Sequence, residues 1–306
     1  MIYTVTLNPA LDYMVWASDF AMGKTNRTAR EALHFGGKGI NVCAVLGALG
    51  EPAVAQGFVA GFVGEALCSA LDRAHIAHDF VRLPHGETRI NIKLKTGEET
   101  EINASGPDVP PAAIEALLAK LDMLCAGDTL VLAGSVPRSV PSDIYEQMLL
   151  RIRGRGIRVV VDAERALLLP ILTYRPFLIK PNLRELCDMV GRELVSDQEI
   201  VQAARELQRA GAQNVLVSLG GRGALLLDGQ GEVHRAGAVG GAAVDTVGAG
   251  DSMLAGFLCG VKGGYAHALR MGLAAGGATA CKAGLATGEE IARLMQEVQA
   301  LCTDPL

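Results

Sequence analysis

From about residue 110 onward, short β-branched apolar runs alternate with helical segments, and that alternation leaves few folds open. Thr129–Ala133, Arg158–Asp162, Phe177–Lys180 and Asn214–Leu219 are short and apolar, as strands of a covered sheet must be. Between and after them, Pro111–Leu124, Ser142–Arg153 and Ser196–Ala210 read as helices. The first has proline near its start, the second has Ser142 as its cap, and the third is followed by Gly211. Gly250–Gly260, Ala266–Cys281 and Thr287–Leu301 read as three closing helices. An earlier run, Ile2–Leu7, ends at the turn signal Asn8-Pro9 and reads as a first buried strand. Strands alternating with helices predict a doubly wound α/β fold, a mostly parallel sheet with helices on both faces. Ligands of such sheets bind outside the carboxyl ends of the strands. Thirty-seven glycines in a chain that is half hydrophobic fit tight strand-to-helix turns.

One part of the chain breaks this pattern. Arg89–Lys95 alternates strictly between polar and apolar residues, so one face of that strand is expected to be wet. Gly97-Glu98 offers a turn, and Thr100–Asn103 can return as its partner. Half-wet strands do not belong inside a doubly covered sheet. The reading is one unit over 1–306 carrying a small β-sheet lid, built from insertions at about 12–17, 28–36 and 88–104. The edges and apolar patches of such a lid need covering, which predicts a homodimer formed through the lids.

The net charge of −5 excludes the basic stripe of a nucleic-acid binder, though a few local cations can still hold a phosphate. The seven cysteines are widely spaced with no C-x-x-C pair, which argues against a metal cluster and for buried free thiols in a reducing compartment. The opening MIYTVTLNPALD has no basic segment followed by an apolar one, and no run of about 20 apolar residues occurs, so a cytoplasmic protein without a membrane partner is expected.

Two glycine-rich segments carry the chemistry. Val244–Ser252 reads VDTVGAGDS just before an apolar helix. The N–H groups of Gly248, Ala249 and Gly250 can converge at the helix start, where the dipole favours an anion. Asp251 lies at the same spot, an awkward place for a carboxylate unless it accepts a proton in phosphoryl transfer. Taken alone it reads first as an ordinary helix-capping or first-turn acid. His34–Val42 reads HFGGKGINV between a strand and a helix spanning Asn41–Leu49. Its glycines let backbone approach a ligand, Lys38 can meet an anion and Asn41 can bind hydroxyls. It is not a Walker A loop, and a tight strand-to-helix turn gives the same pattern.

Together, G-G-K-G-x-N near the start and D-T-x-G-A-G-D near the end resemble the two signatures of the ribokinase family, in its phosphofructokinase-B branch. The likeness covers essentially the whole chain and implies an α/β core with a β-sheet lid. Thr6–Asp12 resembles the T-L-N-P-x-x-D opening of hexose-phosphate kinases, and Thr88–Lys93 is similar to the T-R-I-N-V-K segment of 1-phosphofructokinases.

The resemblance implies roles. Asp251 is the general base and Gly248, Ala249 and Gly250 its anion hole. Asp245 and Thr246 support that loop and approach the nucleotide or a monovalent cation. Asp12 holds sugar hydroxyls, with Gly37, Lys38 and Asn41 on the sugar-facing loop. Arg89 binds the phosphate already on the sugar. Arg138 is a second phosphate contact, although Ser139 stands where relatives have glycine. Lys180, Asn182 and Glu185 match K-P-N-x-x-E: Lys180 meets phosphate oxygens, while Asn182 and Glu185 organise water around Mg²⁺ and ATP. A helix capped by Asn182 is the plainer reading of the same residues. Ser218, Gly220 and Gly223 form a nucleotide loop that also reads as a hairpin turn into Ala224–Asp228. The small residues of 274–279 leave room for adenine. The implied activity is ATP-dependent phosphorylation of a ketohexose phosphate, fructose 1-phosphate foremost. The alternatives are a tagatose-6-phosphate or other hexose-6-phosphate kinase, and a sugar-phosphate sensor without turnover.

Overall fold

A computed structural model describes residues 1–18, 20–96 and 99–301; the expected Gly97-Glu98 turn and Cys302 lie outside the described residues. The strands are β1 (Ile2–Thr6), β2 (Ala10–Trp16), β3 (Arg30–Gly36), β4 (Ala53–Ala60), β5 (Val81–Leu83), β6 (Arg89–Lys95), β7 (Glu99–Ile102), β8 (Thr129–Ala133), β9 (Arg158–Asp162), β10 (Leu178–Ile179), β11 (Asn214–Ser218), β12 (Ala224–Leu227) and β13 (Val233–Ala236). The helices are α1 (Lys38–Ala48), α2 (Gly61–Arg73), α3 (Pro111–Leu121), α4 (Ile144–Arg151), α5 (Arg165–Ile171), α6 (Leu183–Val190), α7 (Asp197–Ala210), α8 (Ala249–Gly260), α9 (Tyr265–Ala280) and α10 (Gly288–Leu301).

Nine strands form one sheet in the order β13-β12-β11-β10-β9-β8-β1-β4-β5. From β5 to β11 neighbouring strands run parallel, and β12 and β13 close the far edge antiparallel. The apolar runs read from the sequence are central strands of this sheet, and every residue of β8 is buried. One face packs on α3–α7 through Leu117, Ile144, Met148 and Leu186; the other packs on α1 and α8–α10 through Val45, Leu254, Phe257 and Leu273. Each such side chain contributes about 1.5–3 kcal/mol when taken from water.

Helix α8 lies deepest. Every residue from Asp251 to Leu258 is buried, as expected of a helix that is apolar all round. Small residues let α9 approach it closely: a Cβ on Gly256 would sit 2.4 Å from the Met271 carbonyl oxygen.

The element boundaries carry some corrections. Helix α4 starts at Ile144, with Asp143 rather than Ser142 in the cap position and no side-chain cap bond. The Ile144 N–H returns to the Pro141 carbonyl, a turn that leaves Ser142 outside the helix. Helix α1 starts at Lys38 rather than Asn41, so Lys38 and Asn41 share its first turn. Strand β4 and helix α2 have no counterpart in the sequence reading. Buried Gln56 and Gly57 interrupt the apolar run there, and no turn residues part Ala60 from the helix beginning at Gly61.

The second sheet has the order β3-β2-β6-β7. Its register puts Asp12 beside His34 and Asn91, and Tyr13 beside Leu33 and Ile92. One face is therefore polar and the other apolar. The polar face, with Asp12, Asn91 and Lys93, lines a cleft. The apolar face is covered only at its base, where Leu11 and Phe35 pack near Val63 and Leu67. Beyond that, Leu33 (56% exposed), Ile90 (43%) and Ile102 (56%) stand open.

Among the described residues the cysteines are free thiols, but only Cys43, Cys68 and Cys187 are buried; Cys125 is exposed and Cys259 and Cys281 are half-buried. The expectation of uniformly buried thiols is corrected to that extent. Among the described residues no helix is long and apolar enough to cross a membrane.

Candidate active site

The carboxyl ends of β1, β8, β9, β10 and β11 open into a cleft of about 890 Å³ between the large sheet and the lid. Its floor is α8. Gly248 occupies the cap position with φ +77°, a left-handed turn suited to glycine, and Asp251 follows in the first turn. The leading N–H groups of a helix have no intrahelical acceptor, so this end is positive. The Ala249 N–H is instead turned back to the Thr246 carbonyl at 3.2 Å. Gly248 and Gly250 are left on the cleft wall.

Asp251 is 6% exposed and accepts a 2.8 Å hydrogen bond from Asn41 Nδ2, across 210 residues of chain. Burial, then the charge of Asp162, pushes its carboxyl up to about 6, against the opposing pull of Asn41, Lys180 and Lys38. Such a group is ionised at neutral pH and can accept a proton there.

Asp162 ends β9 and is 2% exposed. Its two oxygens meet Lys38 Nζ and Lys180 Nζ, each at 3.0 Å. Burial pushes the Asp162 carboxyl up, but Lys180 and Lys38 outweigh it and the net shift is downward. Burial likewise pulls Lys38 down, and the charge and hydrogen bond of Asp162 reverse this, leaving it raised. Asp162 and Lys38 both stay charged. Lys180 also reaches the anion hole, since a Cβ on Gly250 would lie 3.2 Å from its Nζ. The result is a carboxylate base beside two fixed ammonium groups and a helix start, an arrangement able to stabilise a transferring phosphoryl group.

On the lid side, Arg89 donates from Nε to the Asn8 carbonyl (3.1 Å), from Nη1 to the Ala104 carbonyl (3.3 Å) and from Nη2 to Ser135 Oγ (3.3 Å). A guanidinium has about five N–H donors, so others remain for a ligand. Its pKa is lowered by burial, against the charge of Asp12. Asn182 caps α6: its Oδ1 accepts from the Glu185 N–H and the Glu185 carboxylate accepts from the Asn182 N–H, each at 2.8 Å.

The cleft brings together Asp12, Gly37, Lys38, Asn41, Arg89, Lys180, Asn182, Glu185, Ser218, Gly220, Thr246, Gly248, Gly250 and Asp251. Ala249 lies just beyond, in an adjoining recess of about 460 Å³ lined by Gly240, Gly276, Gly277 and other small residues. Three expected residues stand outside both. Asp245 faces a separate recess that it shares with Asp12, Asn41 and Lys93. Arg138 is exposed, three residues beyond Ser135, which does line the cleft. Gly223 makes the turn into β12, with φ +91° and no room for a Cβ, which would lie 2.2 Å from the Ala236 carbonyl oxygen. That is the hairpin reading of this loop. The sequence reading passed over Asp162, Asn91, Lys93 and Ser135. Asp162 had a usable signal, an acid closing an apolar parallel strand at the end where ligands bind.

The model of the pfkB family carbohydrate kinase matches residues 6–292. The chain is 42% identical over 301 residues to a 1-phosphofructokinase from Bacillus subtilis (strain 168), covering 98% of this chain and 99% of that one. It is 36% identical over 306 residues to a D-tagatose-1-phosphate kinase from Bacillus licheniformis, covering 98% and 99%. Among solved structures, phosphofructokinase-2 from Escherichia coli, in complex with substrates and products, superposes with a TM-score of 0.91 at 28% identity, covering 97% and 99%.

Proposed function

The chain belongs to the pfkB family of carbohydrate kinases, and on that premise we propose that it transfers the γ-phosphoryl group of ATP to fructose 1-phosphate, giving fructose 1,6-bisphosphate. The carrying observation is the Asp251 carboxylate, held by Asn41 at the start of α8 and facing Lys38 and Lys180. Asp251 takes the proton of the acceptor hydroxyl as its oxygen attacks the γ-phosphorus, and the bond to ADP breaks. Gly248, Gly250 and Lys180 stabilise charge on the transferring group. Asp12 and Asn41 hold sugar hydroxyls and Arg89 holds the existing phosphate. Arg138 is retained only as a residue that would have to turn inward to join it.

ATP fits the remaining half of the cleft, with its phosphates toward Lys180 and its base toward the small-residue recess beside Ser218 and Gly220. Among the described residues no cluster of three or more His, Cys, Asp or Glu could hold a metal by itself. Mg²⁺ does not require one, since it keeps several waters and binds chiefly to phosphates with one or two carboxylates. Glu185, and with it Glu164, line the cleft where such a hydrated ion would ride. An ion held there would supply positive charge against the triphosphate. Asp245 and Thr246 are the residues for a monovalent cation, should turnover require one. The widely spaced free thiols fit a cytoplasmic location.

A coupled ADP-release assay on fructose 1-phosphate, fructose 6-phosphate, tagatose 1-phosphate, tagatose 6-phosphate and free fructose tests the substrate. Fructose 1-phosphate is expected to have the highest kcat/KM, and free fructose a value lower by at least about a hundredfold, since it forgoes the charge-assisted contact with the half-buried Arg89. A higher value for either 6-phosphate would move the assignment. Tagatose 1-phosphate is the second reading, favoured by the Bacillus licheniformis relative; it differs from fructose 1-phosphate only at C4. A sensor without turnover would release no ADP on any of them, and it has no use for an ionised base.

The apolar lid face supports a homodimer. Leu33, Ile90 and Ile102 lie on one open face, too apolar to leave in water. Light scattering is expected to give twice the chain mass at micromolar concentration, and Leu33→Glu with Ile90→Glu to give the monomer. A wild-type monomer would remove the dimer.

A further inference from the structure

Asp12 is a short side chain on an open-edged sheet, and nothing in its own strand fixes where its carboxylate points. Two neighbours do. On β3, Gly36 leaves the space the carboxylate fills, since a Cβ there would come within 2.5 Å of Asp12 Oδ2. On β6, Asn91 is paired with Asp12 in register and donates from Nδ2 to Asp12 Oδ1 at 2.8 Å.

Asn91 is engaged at both ends. Its Oδ1 accepts from the Ala104 N–H at 3.2 Å, and the Ala104 carbonyl accepts from Arg89 Nη1 at 3.3 Å. A single relay thus runs Asp12–Asn91–Ala104–Arg89, from the carboxylate at the sugar hydroxyls to the guanidinium at the sugar phosphate. Asn91 is 6% exposed, and the two bonds named hold its amide between Asp12 and Ala104, with one Nδ2 hydrogen and one Oδ1 lone pair remaining. Its effect on a ligand through Asp12 is separable from a direct contact by the double variant.

We infer that Asn91 is a positioning residue that fixes the spacing between Asp12 and Arg89, and so selects a ketose by the position of its hydroxyls relative to its phosphate. This rests on the assignment of Asp12 and Arg89 to the sugar phosphate. A hydrogen bond to a charged group, once lost, costs about tenfold to a hundredfold. The preference between epimers narrows with it, because a loose carboxylate accepts either hydroxyl configuration.

The test is a kinetic cycle on the full chain with Asn91→Ala, Asp12→Asn and the double variant, assayed with fructose 1-phosphate, tagatose 1-phosphate and ATP. Asn91→Ala is expected to raise the KM for fructose 1-phosphate by about tenfold or more, to leave the KM for ATP within about twofold, and to narrow the ratio between the two sugars. In the Asp12→Asn background it is expected to add less than about twofold, because the two residues act as one unit. Asn91→Asp keeps the shape and the bond from Ala104 but sets an acceptor against Asp12, and is expected to lose at least as much sugar affinity. Effects that multiply in the double variant would overturn the inference, as would a parallel rise in both KM values, which a general loosening of the lid produces. An unchanged Asn91→Asp would overturn it independently of how the alanine variant folds. If Asp12→Asn alone leaves the sugar KM unchanged, the sugar-site assignment falls first and the inference with it.

Discussion

Asp251→Asn is expected to lower kcat by about three to four orders of magnitude while ATP still binds. Asparagine keeps the shape and can still meet Asn41, but it cannot take a proton. The anion hole and the two lysines remain, so the nucleotide keeps its contacts. The same substitution should raise thermal stability. The folded-state pKa of about 6 lies above the ordinary 3.8, so the ionised carboxylate is a cost to the fold, absent below pH 4 and complete above pH 6. Removing it is worth on the order of 2–3 kcal/mol at neutral pH for a shift of that size. A variant that is both inactive and more heat-resistant cannot be inactive through misfolding. In the wild type, kcat/KM should fall below about pH 6 as the base is protonated. A stopped assay, a melting curve and ATP titration by calorimetry test all three results. A rate within tenfold of wild type would remove the base assignment.

Arg89→Ala carries the second large effect. The KM for fructose 1-phosphate is expected to rise by about a hundredfold, with little change in the KM for ATP. The guanidinium is already fixed by Asn8, Ala104 and Ser135 before any ligand arrives, so a phosphate gains a forked contact without ordering the side chain. Lysine should recover only part of the loss, because it offers a point charge and cannot span the same three acceptors. If the KM for ATP moved instead, Arg89 would belong to the nucleotide.

The sequence disclosed the core because hydrophobic period changes sharply at each strand and helix after residue 110. It disclosed Lys38, Asn41 and Asp251 because glycines crowd around them, and glycines in an apolar chain mark backbone brought close to something. Asp162 and Asn91 carry no such mark. Asp162 carries only the weaker signal of an acid at the carboxyl end of a parallel strand, and an asparagine in an alternating strand looks ordinary until the fold brings Asp12 against it, as it brings Lys38 and Lys180 against Asp162. Distance in the chain hides the partners, and a buried charge makes sense only with its partners in view. Arg138 was misleading for the converse reason: its neighbour Ser135 reaches the cleft, but three residues on, the loop has turned to solvent. The lid face was half legible. Alternation in β6 announced two unlike faces, but only the fold shows that the polar one lines the cleft and the apolar one stands open.

The bond between Asn41 and Asp251 joins positions 210 residues apart. On a ribosome the strands of the lid therefore emerge long before Asp251. A nascent chain lacks the Asp251 carboxylate, and with it the proposed means of spending ATP, until the glycine turn and its helix have cleared the exit tunnel. Late placement of the base keeps unfinished chains chemically silent.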